Sequence, residues 1–240
     1  MYYDTNSKNG KESMIWLRIN HTRKNMIKSD NVKKANKIKI DTVIKNLEKR
    51  NMAGYYADSK EEALAKVLEL IPEGAVVGKG GSETINELGL VPILQKGSYT
   101  YLDAFASADP QVQKETKRRT FYADVMLTSA NAITLDGEIV NIDGTGNRMA
   151  AVIWGPDKVV FIVGANKIVA SVDDAVDRIK CDACPPNCIR LGKNTPCAAT
   201  GKCAECLSLG NTVCCHTVIT RFSSIPDRMH VIMVNENLGF

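Results

Sequence analysis

The apolar positions alternate between two periods along most of the chain. Ile40, Val43, Ile44 and Leu47 recur at helical spacing and predict an amphipathic helix ending near Asn51. Gly54–Ala57 reads as a short strand. Ser59 followed by Glu62 is a capping box, and Leu64, Val67, Leu68 and Ile71 form the buried stripe of the next helix, broken by Pro72 and Gly74. Ala75–Val77 predicts a strand running straight into a Gly-rich turn at 78–81. Ser82 caps a helix carrying Ile85 and Leu88, with Gly89 at its end. Residues 91–123 are less regular: Tyr99–Leu102 reads as a strand, and Asp109-Pro110 starts a helix with a charged face at Lys114, Lys117, Arg118 and Arg119. Val125–Leu127, Lys158–Val163 and Met229–Val234 are near-continuous apolar runs, as in parallel strands covered on both faces. Ser171 and Asp174 cap a helix with Val172, Ala175, Val176 and Ile179 inward. Strands alternating with capped helices predict a three-layer α/β/α fold of the doubly wound type.

The densest polar chemistry follows the strand at 125–127. Ser129, Asn131 and Thr134 lie at its carboxyl end. Asp136-Gly137, between Leu135 and Ile139-Val140, is a hairpin signal, because both turn positions tolerate positive φ. A second Asp-Gly, Asp143-Gly144, opens a loop that adds Thr145, Gly146, Asn147 and Arg148. Two tight turns with self-capping side chains are the plain explanation. So many different polar groups in succession favour the floor of a site.

A second candidate is Gly78-Lys79-Gly80-Gly81-Ser82-Glu83-Thr84, between a strand and a helix start. Free backbone N–H groups there form an anion nest, with hydroxyls from Ser82 and Thr84 and a charge from Lys79. Lys79 precedes the glycines, so the pattern is not a nucleotide P-loop. Position 83 holds Glu where the dinucleotide fingerprint needs its third Gly. For acid–base work the candidates are Lys79, Glu83, Asp136, Glu138, Asp143 and Arg148. A carboxylate beside a lysine and an anion nest suits proton abstraction. No Ser–His–Asp set is supported, since His21 is in the tail and His230 in an apolar run.

Charge and cysteine add three points. Residues 1–40 hold ten Lys and Arg against three acidic residues, a local excess of +7 in a chain of net charge +4. The remainder is mildly acidic, which argues against nucleic acid as partner. Residues 1–35 lack an apolar period and are expected to form a basic, disordered extension to a domain over 36–240. No run approaches a membrane span and no apolar leader core is present, so a cytoplasmic location is expected. All eight cysteines lie between Cys181 and Cys215, including Cys181-x2-Cys184 and Cys203-x2-Cys206. Such a segment, with Pro185, Pro186 and Pro196 expected to keep it out of regular structure, suits zinc or an iron–sulfur cluster. His216 is more readily a surface residue than a ligand.

Taken together, the chain resembles the LUD (lactate-utilisation domain) family. The resemblance rests on Gly80-Gly81-Ser-x-Thr84, Thr128-Ser-Ala-Asn-Ala-Ile-Thr134, Asp143-Gly-Thr-Gly-Asn-Arg148, Gly155-Pro156, Val163-Gly-x-Asn-Lys167, Pro186-Asn187 and Asn235-Glu-x-Leu-Gly239, over roughly residues 36–240. It implies a fold like that of the ribose-phosphate isomerases and CoA transferases, with a Cys-rich insertion (181–215) before the last strand. It also implies a small anionic metabolite held by Gly78, Gly80, Gly81, Ser82, Thr84, Ser129, Asn131, Thr134, Asp143, Thr145, Gly146 and Asn147. Organic acid oxidation of the lactate type, alongside iron–sulfur oxidoreductase subunits, is the function it implies. An isomerase or transferase acting on a phosphorylated or CoA-linked substrate, and a non-catalytic metal-binding subunit, are the alternatives. The chain looks like a short subset of the family with a Cys-rich tail. For that tail the resemblance and the compact spacing point to a zinc or iron–sulfur set of Cys197, Cys203, Cys206 and one of Cys214 or Cys215.

Overall fold

The computed structural model describes residues 29–240. Contacts divide the chain into two units, Met1–Ile38 and Lys39–Phe240. Of the first, residues 29–38 are described, and they are helical; the rest of the extension expected over 1–35 lies outside the described residues. Among the described residues no helix is long and apolar enough to cross a membrane.

The second unit is built on a six-stranded, all-parallel sheet in the order β1-β10-β7-β4-β2-β3. Its strands are β1 (Ala53–Ala57), β2 (Val76–Lys79), β3 (Thr100–Leu102), β4 (Val125–Thr128), β7 (Lys158–Gly164) and β10 (Met229–Val234). Alternation along the apolar runs decides which face each side chain serves. Met126, Val159, Phe161, Val163, Met229, Val231 and Met233 point to one face and pack with Ile40, Val43 and Leu47 of α1, which is helical to residue 48. Val125, Leu127, Val160, Ile162, Ile232 and Val234 point to the other face. There they meet α2 (Lys60–Leu70), α3 (Glu83–Glu87) and α4 (Leu90–Lys96) through Ala63, Val67, Ile85, Leu90 and Leu94. The fold is therefore mixed α/β, with a parallel central sheet flanked by helices on both faces.

The caps expected from sequence are formed. Ser59 accepts from the Glu62 amide, Ser171 from Asp174, and Asp109 from Gln111 at the start of α5 (Pro110–Arg119). Three stretches differ from the reading of the sequence. The polar run after β4 is more ordered than a loop: β5 (Ala132–Thr134) and β6 (Ile139–Asp143) form the hairpin, and Asn147 and Arg148 open helix α6 (Asn147–Trp154). Gly146 makes that entry possible by taking φ +77 at the cap. With β8 (Ile168–Val169) and β9 (His216–Thr220) the hairpin forms a second sheet, ordered β8-β5-β6-β9.

The Cys-rich segment is also largely helical. After α7 (Val172–Arg178) come one π-helical turn (Ile179–Ala183), α8 (Cys184–Arg190) and α9 (Pro196–Thr200). Pro185, Pro186 and Pro196 lie in first helical turns, where the missing N–H has no partner to lose. They start helices here rather than prevent them.

Candidate functional site

The carboxyl ends of β2, β4 and β7 form one rim, because the three strands are neighbours and parallel. Just past β7, Lys167 turns its side chain inward and is 3% exposed. Its Nζ donates to Thr84 Oγ1 at 2.8 Å and to Ser129 Oγ at 3.1 Å. These hydroxyls belong to the two loops flagged in the sequence, the Gly-rich turn after β2 and the polar run after β4. A second contact joins the same loops. A Cβ on Gly80 would lie 2.8 Å from Arg148 Cδ, so only glycine lets the arginine stem cross the turn.

Arg148 is held from three directions. Nε donates to Asp143 Oδ2 at 3.0 Å, and Nη2 to the Ile142 carbonyl at 2.9 Å and to Asn131 Oδ1 at 3.2 Å. Its Nη1 makes no hydrogen bond among the described residues. Arg178 of α7 donates to the main-chain carbonyls of Asn166 and Asn131 at 2.9 and 2.6 Å. Leu238 and Gly239 lie across the top: Thr84 Oγ1 donates to the Leu238 carbonyl at 3.3 Å, and Glu87 accepts from the Gly239 amide at 2.9 Å.

Lys167 is thus a buried amine between two hydroxyls, and no carboxylate lies within ion-pair distance of it among the described residues. Burial lowers its pKa from 10.5 to about 7; the positive charges of Arg178 and Arg148 push the same way, against a weaker pull from Glu87. The amine therefore gains or loses its proton near neutrality, the range in which a lysine serves as acid and base.

The other expected residues fall into three groups. Ser82 caps α3, and Gly80 N–H donates to the Leu127 carbonyl, so that amide is not free for an anion. Gly78 packs against Thr120, 2.3 Å from where a Cβ would stand, and Gly81 faces open space. Asp143 and Asn131 hold Arg148, with Gly146 N–H on Asp143 Oδ1 at 3.2 Å and Thr145 Oγ1 on Asn147 Oδ1 at 2.5 Å shaping the bend. Lys79 stands at the rim over the loop after β3, 3.3 Å from Asn86 Oδ1 and 5.8 Å from the centre of the Phe105 ring. Burial lowers its pKa, opposed by Asp103 and Glu83.

Asp136, Glu138 and Thr134 are engaged elsewhere. Glu138 pairs with Arg50 and accepts from the Thr134 hydroxyl, and Arg50 Nε donates to the Asp136 carbonyl at 2.6 Å. Arg50 precedes β1, on the amino side of the sheet, so the hairpin tip lies away from the Lys167 rim. Burial alone would raise the Glu138 pKa, but Thr134 and Arg50 outweigh it and leave it lowered. An open concavity of about 510 Å³, lined by Asn46, Lys49, Arg50, Asp136, Arg221 and Phe222, lies beside this tip. Glu138 is therefore a fastener of the hairpin to α1 rather than a free base. Glu138→Gln is expected to reduce stability by about 1 kcal/mol at pH 7. That difference should fade on acidification below the ordinary Glu range, because a lowered carboxyl stabilises only while ionised. Urea unfolding at pH 7 and pH 3.5 measures both.

The expected metal set does not converge. Cys203 Sγ accepts from the Glu205 amide at 3.5 Å, Cys206 lies 3.7 Å from Thr212 Oγ1, and Cys215 Sγ faces the Thr212 carbonyl at 3.7 Å. Cys197 and Cys214 instead approach Cys188 and Cys184. Among the described residues no three His, Cys, Asp or Glu side chains form a ready metal site. His216 is exposed on β9.

Lys167 and Arg178 were not singled out as site residues from the sequence. The available signal was a lysine three residues beyond a seven-residue strand whose side chains are almost all buried.

The family comparison fits the same span. The LUD domain model matches residues 40–234. The chain belongs to the LUD domain family. That membership suggests a function related to lactate utilisation, and the matched span covers both loops, Lys167 and the Cys-rich segment. No curated protein matches this LUD-domain chain. Nine chains of solved structures do. One is a DUF162 family protein from Deinococcus radiodurans, 14% identical, with 83% of this chain and 98% of that one covered at a TM-score of 0.48. Another is ribose 5 phosphate isomerase A from Neisseria gonorrhoeae, 15% identical, with 55% and 65% covered at a TM-score of 0.32. Likeness at these values does not bear on activity.

Proposed function

We propose that this LUD-domain protein binds a small anionic metabolite, carrying a carboxylate or phosphate, at the rim between the β2 and β4 loops and acts on it in lactate-type organic acid oxidation. The observation that carries the reading is the buried Lys167 amine with two hydroxyl partners, two neighbouring guanidinium groups and no ion-paired carboxylate. Such a cation is stabilised by an anion that enters beside it. Arg148 Nη1 supplies the second contact. Lys167, neutral for part of the time near pH 7, accepts the proton of a hydroxyl or of a carbon next to the bound carboxylate. Oxidation of a 2-hydroxy acid to the 2-oxo acid releases two protons and two electrons: Lys167 takes one proton, solvent takes the other, and iron–sulfur oxidoreductase subunits are the proposed acceptors of the two electrons.

Thermal unfolding with phosphate, lactate, pyruvate and the neutral amide of lactate tests the binding step. At least one anion is expected to raise the melting temperature saturably and the amide not to. Arg148→Ala should weaken that anion about tenfold or more, since a charged hydrogen bond is lost. Equal affinity for the amide, or for Arg148→Ala, would show that the rim is not an anion site.

A further inference from the structure

The Cys-rich segment holds a sulfur pair that the anion site does not use. Cys184 opens α8 and is 7% exposed, packed with Ala132 and Val140 of the β5–β6 hairpin and with Ala175 and Ile179. Cys214 stands in the stretch before β9 and is exposed. Both are free thiols, and their sulfurs are 3.3 Å apart, inside the van der Waals separation of two sulfur atoms. One sulfur is open to an oxidant in solvent, and the other is buried against it. Cys188 and Cys197 form a second pair, 3.7 Å apart, but both are buried, at 1% and 7% exposure.

We propose that Cys184 and Cys214 are a redox-active pair, a modification site at which hydrogen peroxide converts two thiols into a reversible intrachain disulfide. Cys214, as its thiolate, attacks one peroxide oxygen. The O–O bond breaks, the sulfur becomes a sulfenic acid, and the departing hydroxide takes up the proton that Cys214 released and leaves as water. The Cys184 sulfur then attacks the Cys214 sulfur. The S–O bond breaks, and the hydroxyl leaves with the Cys184 proton as a second water. Two thiols have lost two electrons, and one peroxide has become two waters. The sulfurs need only close from 3.3 Å to the roughly 2.05 Å of a disulfide bond. Exposure makes Cys214 the attacking thiol and Cys184 the resolving one. The contact with Cys184 also holds the Cys214 pKa below the ordinary thiol value, and the Lys180 charge adds to this against partial burial of the sulfur. The Cys188–Cys197 pair has no exposed member for the peroxide to reach.

The bond closes a loop whose ends are 30 residues apart. Residues 201–215 of that loop contain no helix or strand, and Leu207 and Leu209 are fully exposed. A stretch that buries so little apolar surface gains order from a covalent tie. The residues on either side of Cys214 reach the end of β6. Cys215 N–H donates to the Asp143 carbonyl at 3.0 Å, and a Cβ on Gly144 would lie 3.4 Å from the Val213 carbonyl oxygen. The disulfide therefore ties this stretch beside the turn that leads to Arg148. In a reducing compartment such a pair senses oxidant rather than serving as a permanent staple. This inference does not require the anion site.

The full chain, reduced, desalted and treated anaerobically with stoichiometric hydrogen peroxide, is expected to lose two of its eight thiols, counted after denaturation. Tryptic mapping without reductant should join residues 181–190 to residues 203–221 and leave residues 194–202, with Cys197, unlinked. Dithiothreitol should restore all eight thiols by exchange. Cys184→Ser and Cys214→Ser should prevent the link, while Cys181→Ser and Cys215→Ser should keep it. Fragmentation of the linked peptides from the unaltered chain locates the bond even if Cys184→Ser fails to fold. Eight thiols remaining after peroxide, a link to residues 194–202, a link that survives in Cys214→Ser, a bond between two chains, or sulfinic acid at Cys214 without a link would each overturn the proposal.

Discussion

Replacing Lys167 by methionine is expected to abolish anion binding and to flatten the pH dependence of stability without unfolding the protein. Methionine fills nearly the same volume, and the two hydroxyls lose only a donor: Thr84 still donates to the Leu238 carbonyl and Ser129 Oγ to the Ala130 carbonyl. The pH effect has a definite sign. The amine titrates at about 7 in the folded chain and at its ordinary 10.5 when unfolded. Between those values the unfolded chain holds more protons, so the natural protein gains stability as pH rises from 7 and has least of it at or below 7. Methionine removes the titration. The gain between pH 7.5 and 9 should therefore be smaller in the variant by about 2 kcal/mol, at about 1.4 kcal/mol per pH unit. Comparing the two proteins removes the contribution of other groups that titrate in this range. Urea unfolding at the two pH values gives the difference, and equal slopes would mean that Lys167 keeps its ordinary proton affinity. An anion beside the amine should also raise its pKa, so binding at pH 8 should take up a proton, detectable by calorimetry in buffers of different ionisation enthalpy.

Arg228→Leu is expected to produce the largest loss of stability, about 3–5 kcal/mol. Arg228 is 4% exposed, and it donates to the carbonyls of Pro156, Val152 and Ala151 at 2.9, 2.8 and 3.2 Å. Two of these carbonyls belong to the last turn of α6: that of Ala151 also accepts from the Gly155 amide at 3.0 Å, while that of Val152 has Pro156, which carries no N–H, where its helical donor would stand. Leucine removes three charge-assisted hydrogen bonds and leaves the Val152 and Pro156 carbonyls without the donor they had. Since a domain of this size is stable by only about 5–15 kcal/mol, the variant should unfold at markedly lower denaturant. Arg228→Lys, with a single ammonium in place of a fork, should recover only part of the loss. A loss under about 1 kcal/mol in Arg228→Leu would mean that water reaches these carbonyls.

The core was legible in the sequence because it is local. Val159, Phe161 and Val163 alternate with Val160 and Ile162, and that alternation alone assigns the two faces of β7. Ser59, Ser171 and Asp109 announce their helices within three residues. The site was legible in part. The adjacency of the β2 and β4 loops followed from two buried strands that each end in polar residues. Glu138 was misjudged because its partner, Arg50, lies 88 residues away and no local signal joins them. Lys167 was passed over for a related reason. A lysine after a strand ordinarily reaches solvent, and only the hydroxyls brought by two distant loops hold this one inside. The prolines misled in a different way, since Pro185, Pro186 and Pro196 fit a helix start as well as they break a helix interior.

The place of β1 in the sheet has a consequence for how the protein is made. Within the sheet β1 is bound to β10 alone, with Ala53 opposite His230 and Ala57 opposite Val234. The two strands lie at nearly opposite ends of the unit in sequence. On the ribosome β1 emerges early and has no partner until almost the whole unit has been synthesised, a delay on the order of ten seconds. For much of that interval the apolar stripe of α1 lacks β7, and throughout it lacks β10, to cover it. Closure of the sheet joins residues far apart in the chain, so refolding should be slow for a domain of this length. The nascent chain is then most exposed to aggregation, and most in need of a chaperone, just before its last strand arrives.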